Sequence, residues 1–204
     1  MALPLEKDHL TYTASYCEEN IYLLCQYIQK HYPDRLGECT VVFISNENET
    51  FPMWRQRASK SSDQLVVWDY HVILLVSDGA GHTGSEHTAA ATVVYDFDTT
   101  LSFPCPLADY IDKSFQPSIP LKTQFIRRFR LIPAELYIQK FASDRSHMIS
   151  ENGNYHAPPP TYPAIVAPDG NTMTLPRCRN MVLPQPSTDT YGKVVLEDSF
   201  FGRS

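Results

Sequence analysis

Cys17, His71 and Asp96 supply, in that order, a thiol, an imidazole and a carboxylate, the three groups from which a thiol nucleophile with a base and its orienter can be built. Cys17 stands in Ser15-Tyr16-Cys17-Glu18-Glu19-Asn20-Ile21, His71 in Trp68-Asp69-Tyr70-His71, and Asp96 in Tyr95-Asp96-Phe97-Asp98. The thiolate is the reactive form of cysteine, and the unpaired N–H groups and positive dipole end of a helix start favour it. An imidazolium within reach stabilises the thiolate and can hand its proton to a leaving amine. A carboxylate on the second ring nitrogen would fix the histidine.

Each of these residues also has a plainer reading. Cysteine is among the most buried residue types, and Cys25 and Cys39 read as core. Cys17 departs from that reading because the apolar stripe Ile21, Leu24, Cys25, Ile28 extends backward through it to the first helical turn. Glu18 and Glu19 beside it raise the pKa of the thiol, so a cation has to offset them. His71 reads as mid-strand, on one face with Asp69, Ile73 and Leu75, where a core histidine bonded to a carbonyl is the alternative. His82, His87 and His147 lie on less rigid segments. Asp96 and Asp98 are two apart and share a strand face, so either can orient the histidine. No CxxC, HExxH or glycine-rich phosphate loop is present, and no metal or cofactor is expected.

The elements that would hold these groups follow from periodicity. Residues 17–30 read as a helix, with Ser15 and Glu18 as a capping box and His31-Tyr32-Pro33 as its end. Residues 40–45, 65–77, 92–97 and 125–132 read as strands, and 106–115 and 134–142 as further helices. A hairpin across 78–91, a loop expected to be mobile, would bring His71 opposite Asp96 in a register centred between Thr83 and Gly84. Eight of the sixteen prolines fall between Pro158 and Pro186, a density expected to exclude helix and central strand and to leave a strap or a tail over about 157–190.

With 204 residues, 43% hydrophobic and 12% aromatic, the chain is long enough for one sizeable core, and residues 1–204 read as a single domain. A net charge of -6 argues against a nucleic-acid partner. The basic knot Arg127-Arg128-Phe129-Arg130 reads as a strand with a solvated face. There is no apolar run of signal-peptide length and none near the roughly 20 residues of a membrane span. Five irregularly spaced cysteines suit reduced thiols. The expectation is a soluble monomer of the cytoplasm or nucleus with no membrane partner.

Five segments in series resemble the protein N-terminal glutamine amidohydrolase family: Tyr16-Cys17-Glu18-Glu19-Asn20-Ile21; Val42-Phe43-Ile44-Ser45-Asn46-Glu47; Trp68-Asp69-Tyr70-His71-Val72; Tyr95-Asp96-Phe97-Asp98-Thr99 with Phe103-Pro104-Cys105; and Phe141-Ala142-Ser143-Asp144-Arg145-Ser146-His147-Met148. The resemblance runs from about Tyr16 to Pro163. It implies a papain-like or transglutaminase-like α/β (α+β) fold, with the N-terminal helix packed on a mainly antiparallel sheet. It also implies a Cys17-His71-Asp96 triad and cofactor-free deamidation of N-terminal glutamine to glutamate in the arginine branch of the N-degron pathway. The 78–91 loop looks longer than the family's, and 176–186 departs from its pattern.

Such a site must read an α-ammonium, so a carboxylate should face it; Glu18, Glu19, Asp69 and Asp144 are the candidates, with Trp68 and Tyr70 as walls. With the ammonium anchored, the carboxamide of asparagine falls about an ångström short of the thiolate. Two alternatives remain. A papain-like peptidase or a transglutaminase would use the same triad, and a non-enzymatic protein would offer its proline-rich strap to a partner.

Overall fold

A computed structural model describes residues 2–77 and 92–203. The apolar stripe at Ile21, Leu24, Cys25 and Ile28 buries one face of helix α1 (Cys17–His31). At roughly 1.5–3 kcal/mol for each large side chain taken from water, that stripe is what docks the helix. It packs on a face of the sheet formed by Val41, Phe43, Val72, Leu74 and Val76.

Among the described residues the sheet has six strands in the order β6-β5-β4-β1-β7-β8, and every pairing in it is antiparallel. The strands are β1 (Cys39–Ser45), β4 (His71–Ser77), β5 (Thr92–Tyr95), β6 (Cys105–Pro106), β7 (Arg128–Pro133) and β8 (Lys193–Leu196). A small second sheet pairs β2 (Phe51–Met53) with β3 (Val66–Trp68). Helix α3 (Ala134–Lys140) packs beside α1, where Tyr137 donates to the Glu18 carbonyl at 3.0 Å. The opposite sheet face, with Val42, Ile44, Ile73, Leu75 and Val94, is covered by α2 (Leu107–Tyr110) and an aromatic cluster that includes Phe115 and Phe129. That cluster is closed by Phe200, the last residue of α5 (Glu197–Phe200). The chain is thus mixed α/β, with a mainly antiparallel sheet covered on both faces.

Several expectations need correction. The run 65–77 is two strands, broken at Asp69 and Tyr70, and only β4 belongs to the large sheet, so His71 starts a strand. Valine-rich sequence marks extended chain but cannot mark where a strand changes sheet. β5 ends at Tyr95, and its partner there is Leu74, so the register is shifted by two residues from the one that sets His71 opposite Asp96. A shift of two keeps every side chain on its face. The 78–91 loop, expected to be long and mobile, lies outside the described residues.

The basic knot does not face solvent: Arg127 and Arg130 are among the most buried side chains. The chain's tail supplies carbonyls to Arg128 and Arg130, while Arg127 donates to the Phe115 carbonyl at 2.9 Å and pairs with Glu197. Arg130 donates to the carbonyls of Asn180 and Tyr191 and pairs with Asp189 at 2.9 Å, while Arg128 donates to the carbonyl of Met181 at 2.8 Å. Despite its prolines the tail also forms a short helix, α4 (Leu175–Arg179), because Pro176 falls in the first turn, where no N–H is required. The strap is therefore sewn onto the sheet. Where it rejoins, Gly192 has φ +78°, and a Cβ there would lie 2.1 Å from the carbonyl oxygen of Leu131, so only glycine fits.

Candidate functional site

Helix α1 starts at Cys17, but not through the expected capping box. Ser15 sits at φ +70° and Tyr16 is the N-cap, with no side-chain cap bond. The Asn20 side chain does the fastening instead: it accepts from the Thr13 N–H and donates to the Thr13 carbonyl, both at 2.8 Å. The first helical bond is Asn20 N–H to Tyr16 O at 2.9 Å, so the N–H groups of Cys17, Glu18 and Glu19 have no acceptor among the described residues. They form a set of unpaired donors beside the thiol.

His71 precedes Val72, whose backbone N–H acts to lower the pKa of the Cys17 thiol. His71 Nε2 is 3.0 Å from Asp96 Oδ1, with both groups fully buried. Asp96 Oδ1 also accepts the Asp98 N–H at 2.8 Å, and Oδ2 accepts the hydroxyl of Tyr110 at 2.7 Å. An acceptor so placed assigns the ring proton to Nε2, which leaves Nδ1 with a lone pair. Nδ1 is buried and has no hydrogen-bond partner among the described residues. The ring itself stacks on Trp68, with centroids 5.4 Å apart.

The electrostatics oppose one another. Burial pushes the Cys17 thiol well above its ordinary range, and the adjoining Glu18 carboxylate adds to this, while the Val72 N–H acts the other way. Burial alone would lower the His71 pKa, but the Asp96 charge and hydrogen bond outweigh it and the pKa is raised. Asp96 is desolvated yet held below its ordinary range by His71, Tyr110 and the Asp98 N–H. Asp98, expected to share a strand face with Asp96, lies past the strand end in a turn; burial raises its pKa, and the Tyr12 hydroxyl donates to it at 2.5 Å. His71, Asp96 and Asp98 offer ligand atoms within 4.8 Å of one another, the one grouping among the described residues suited to a cation. Nε2 and Oδ1 already satisfy each other there.

A second polar cluster adjoins the thiol. Glu18 is fully buried; its Oε2 accepts from the Tyr70 hydroxyl at 3.0 Å and lies 3.6 Å from the Cys17 sulfur. His147 Nε2 stands 3.5 Å from Glu18 Oε1 and 3.4 Å from the Tyr70 hydroxyl. Glu18 Oε1 has no hydrogen bond among the described residues. Asp69 is exposed, next to Tyr70 in the chain, and Asp144 is exposed and accepts the Ser146 N–H at 2.9 Å. Glu19 is committed to a bidentate pair with Arg145, both contacts at 2.9 Å. Thus Glu18, Trp68, Asp69 and Tyr70 gather near the thiol and imidazole, whereas Asp144 and Glu19 are engaged elsewhere.

A family model described as N-terminal glutamine amidase matches residues 12–204. The chain belongs to the N-terminal glutamine amidase family. Among similar proteins, those called Protein N-terminal glutamine amidohydrolase from Bos taurus and Homo sapiens are each 44% identical over 163 residues, covering 80% of this chain and 74% and 75% of theirs. The Danio rerio protein of the same name is 45% identical over 164 residues, 79% of this chain and 75% of its own. Sequence reasoning missed Tyr110, Arg145, His147 and Arg179 as neighbours of the site. Tyr110 carried only a helical-spacing signal and Arg179 none, while Arg145 and His147 stood inside a family-like segment without a role.

Proposed function

We propose that this chain hydrolyses the side-chain amide of an N-terminal glutamine, giving an N-terminal glutamate and ammonia, with Cys17 as nucleophile, His71 as acid and base, and Asp96 as its orienter. The observation that carries the reading is the buried His71–Asp96 pair, whose second ring nitrogen has no hydrogen-bond partner among the described residues, and which adjoins Val72, whose N–H favours the Cys17 thiolate. The family relatives' names agree with it.

In the proposed sequence His71 Nδ1 takes the Cys17 proton and the thiolate attacks the glutamine Cδ. First-turn N–H groups of α1 hold the oxyanion. The Nδ1 proton passes to the leaving nitrogen, ammonia departs, and a γ-glutamyl thioester remains on Cys17. His71 then takes a proton from water, the hydroxide attacks the thioester, and the thiol returns. Glu18 is the acceptor for the substrate α-ammonium, because its Oε1 is desolvated and has no hydrogen bond among the described residues, with His147 Nε2 standing off at 3.5 Å. Trp68 and Tyr70 form walls, Asp69 the rim, and Asp144 contributes only a distant negative charge.

A thiol at a helix start together with a histidine at a strand start supports a papain-like or transglutaminase-like arrangement in one domain over 1–204, acting as a monomer in the cytoplasm or nucleus on proteins of the arginine N-degron branch. The strap over 157–190 belongs to that domain in this reading, since Arg145 binds the carbonyls of Pro160, Tyr162 and Pro163. That use of its backbone disfavours a free proline-rich ligand. The test is ammonia release from a peptide with free N-terminal glutamine against its N-acetylated and N-terminal asparagine counterparts. Release from the first alone supports the proposal; equal release from the acetylated peptide moves the chain to the transglutaminase reading, and cleavage of the peptide without ammonia to the peptidase reading.

A further inference from the structure

An N-terminal glutamine and free glutamine differ at one place, since the α-carbon bears a neutral peptide carbonyl in the first and a carboxylate in the second. The proposed anchors, Glu18 for the ammonium and Cys17 for the side chain, are common to both. A third element is needed to tell them apart.

Arg179, the last residue of α4, brings its guanidinium carbon to 4.3 Å from the Tyr70 ring centroid. The same Tyr70 holds Glu18 by its hydroxyl, so one phenol spans from the ammonium anchor to the guanidinium. Two carboxylates share a single nitrogen of Arg179: Nη2 is 3.0 Å from Glu49 and 3.5 Å from Asp69. Nη1 and Nε have no protein acceptor among the described residues, and Nε is buried. Glu49 and Asp69 are more than half exposed and their charges face outward. Asp69 is close enough for its charge to be felt at Cys17.

We infer that the Glu49–Arg179–Asp69 triplet is a specificity determinant: Arg179 donates a hydrogen bond to the carbonyl of the first peptide bond, while Glu49 and Asp69 repel the carboxylate of free glutamine. An isolated arginine would attract that carboxylate in bidentate fashion and favour the free amino acid. Paired with two acids, the triplet carries net negative charge but keeps its donors, which suits a neutral acceptor and not an anion. This rests on the amidohydrolase reading above.

The test compares L-glutaminamide with L-glutamine, equal in size and differing by the α-carboxylate, reading isoglutamine and glutamate formed by the full chain. In wild type kcat/KM for glutaminamide exceeds that for glutamine by at least about tenfold, and the ratio narrows as salt screens the rim. In Glu49→Gln/Asp69→Asn the ratio falls at least about tenfold by the loss of repulsion. Arg179→Ala raises the ratio, and raises KM for glutaminamide about tenfold with kcat within about threefold, by the loss of a hydrogen bond to the charged donor. Damage to the fold would move both substrates together and leave the ratio where it was. The inference is overturned if the ratio in Glu49→Gln/Asp69→Asn stays within about twofold of wild type, if Arg179→Ala leaves KM unchanged, or if wild type deamidates a glutamine peptide but not glutaminamide. Failure of wild type on every glutamine substrate, the peptide included, instead removes the amidohydrolase reading itself.

Discussion

Arg145 is expected to be the most stability-critical charged residue near the nucleophile, and Arg145→Met the most informative single change. Its guanidinium makes two 2.9 Å contacts to Glu19, which has no exposed side-chain surface, and donates to three strap carbonyls at 3.0–3.3 Å. It also lies 5.0 Å from the Tyr162 ring centroid. Removing it strands a buried carboxylate in the first turn of α1, at about 3–5 kcal/mol for an uncompensated buried charge. The total margin of a domain is about 5–15 kcal/mol, so a large share is lost. With a urea dependence of about 2–3 kcal/mol per molar, the unfolding midpoint should fall by about 1–2.5 M. Glu19→Gln/Arg145→Met should be more stable than Arg145→Met alone, since the second change removes the stranded charge. Urea titration followed by far-UV circular dichroism measures all three proteins. A loss under about 1 kcal/mol for Arg145→Met, or a double variant weaker than the single, would refute the claim that this pair fastens the strap to the catalytic helix.

Further outcomes follow from the same geometry. Tyr110→Phe removes a 2.7 Å donor from buried Asp96 and should cost about 1.5–3 kcal/mol in chemical denaturation; because the bare carboxylate then holds the His71 proton more firmly, the acid limb of kcat/KM should move to higher pH. The destabilisation caused by Asp96→Asn should be greatest between pH 3.8 and 6.5, the ordinary values of the two partners. His71 is raised, so its contribution is complete below 6.5 and is lost as pH climbs through the folded value; Asp96 is depressed, so its share is complete above 3.8 and is lost as pH falls through the folded value. Midpoints of wild type and Asp96→Asn measured at pH 5 and pH 9 check this, with the smaller gap expected at pH 9. Gly192→Ala places a Cβ against the Leu131 carbonyl at φ +78° and should lower the melting temperature, by the equivalent of about 1–3 kcal/mol for a backbone forced aside.

What the sequence made legible was the helix with its nucleophile, the strand segments and the parity of His71 and Asp96, because each is a matter of period. Amphipathic spacing places Cys17 at the start of α1, and a two-residue period survives the register shift that moved Asp96 off its expected partner. What stayed hidden depends on contacts distant in the chain. Arg127 and Arg130 read as surface residues, yet Arg130 is buried by carbonyls of Asn180 and Tyr191 and Arg127 by the Phe115 carbonyl and Glu197, all distant in the chain. The proline density of 158–186 argued against any helix and left a strap or a tail, yet Pro176 sits in the first turn of a helix whose last residue brings a cation to Tyr70. Asn20 replaces the Ser15 cap by a side-chain contact with Thr13, a local alternative that the S-x-x-E pattern cannot distinguish.

The central claim is that the Cys17 sulfur attacks the side-chain amide of an N-terminal glutamine. The most direct measurement is ammonia release from a free-N-terminal glutamine peptide by Cys17→Ala, with the variant shown to keep the wild-type unfolding midpoint within about 1 M urea. The account predicts a loss of at least about 10⁴-fold, the size expected when a covalent nucleophile is removed. Activity within tenfold of wild type in that folded variant would contradict it.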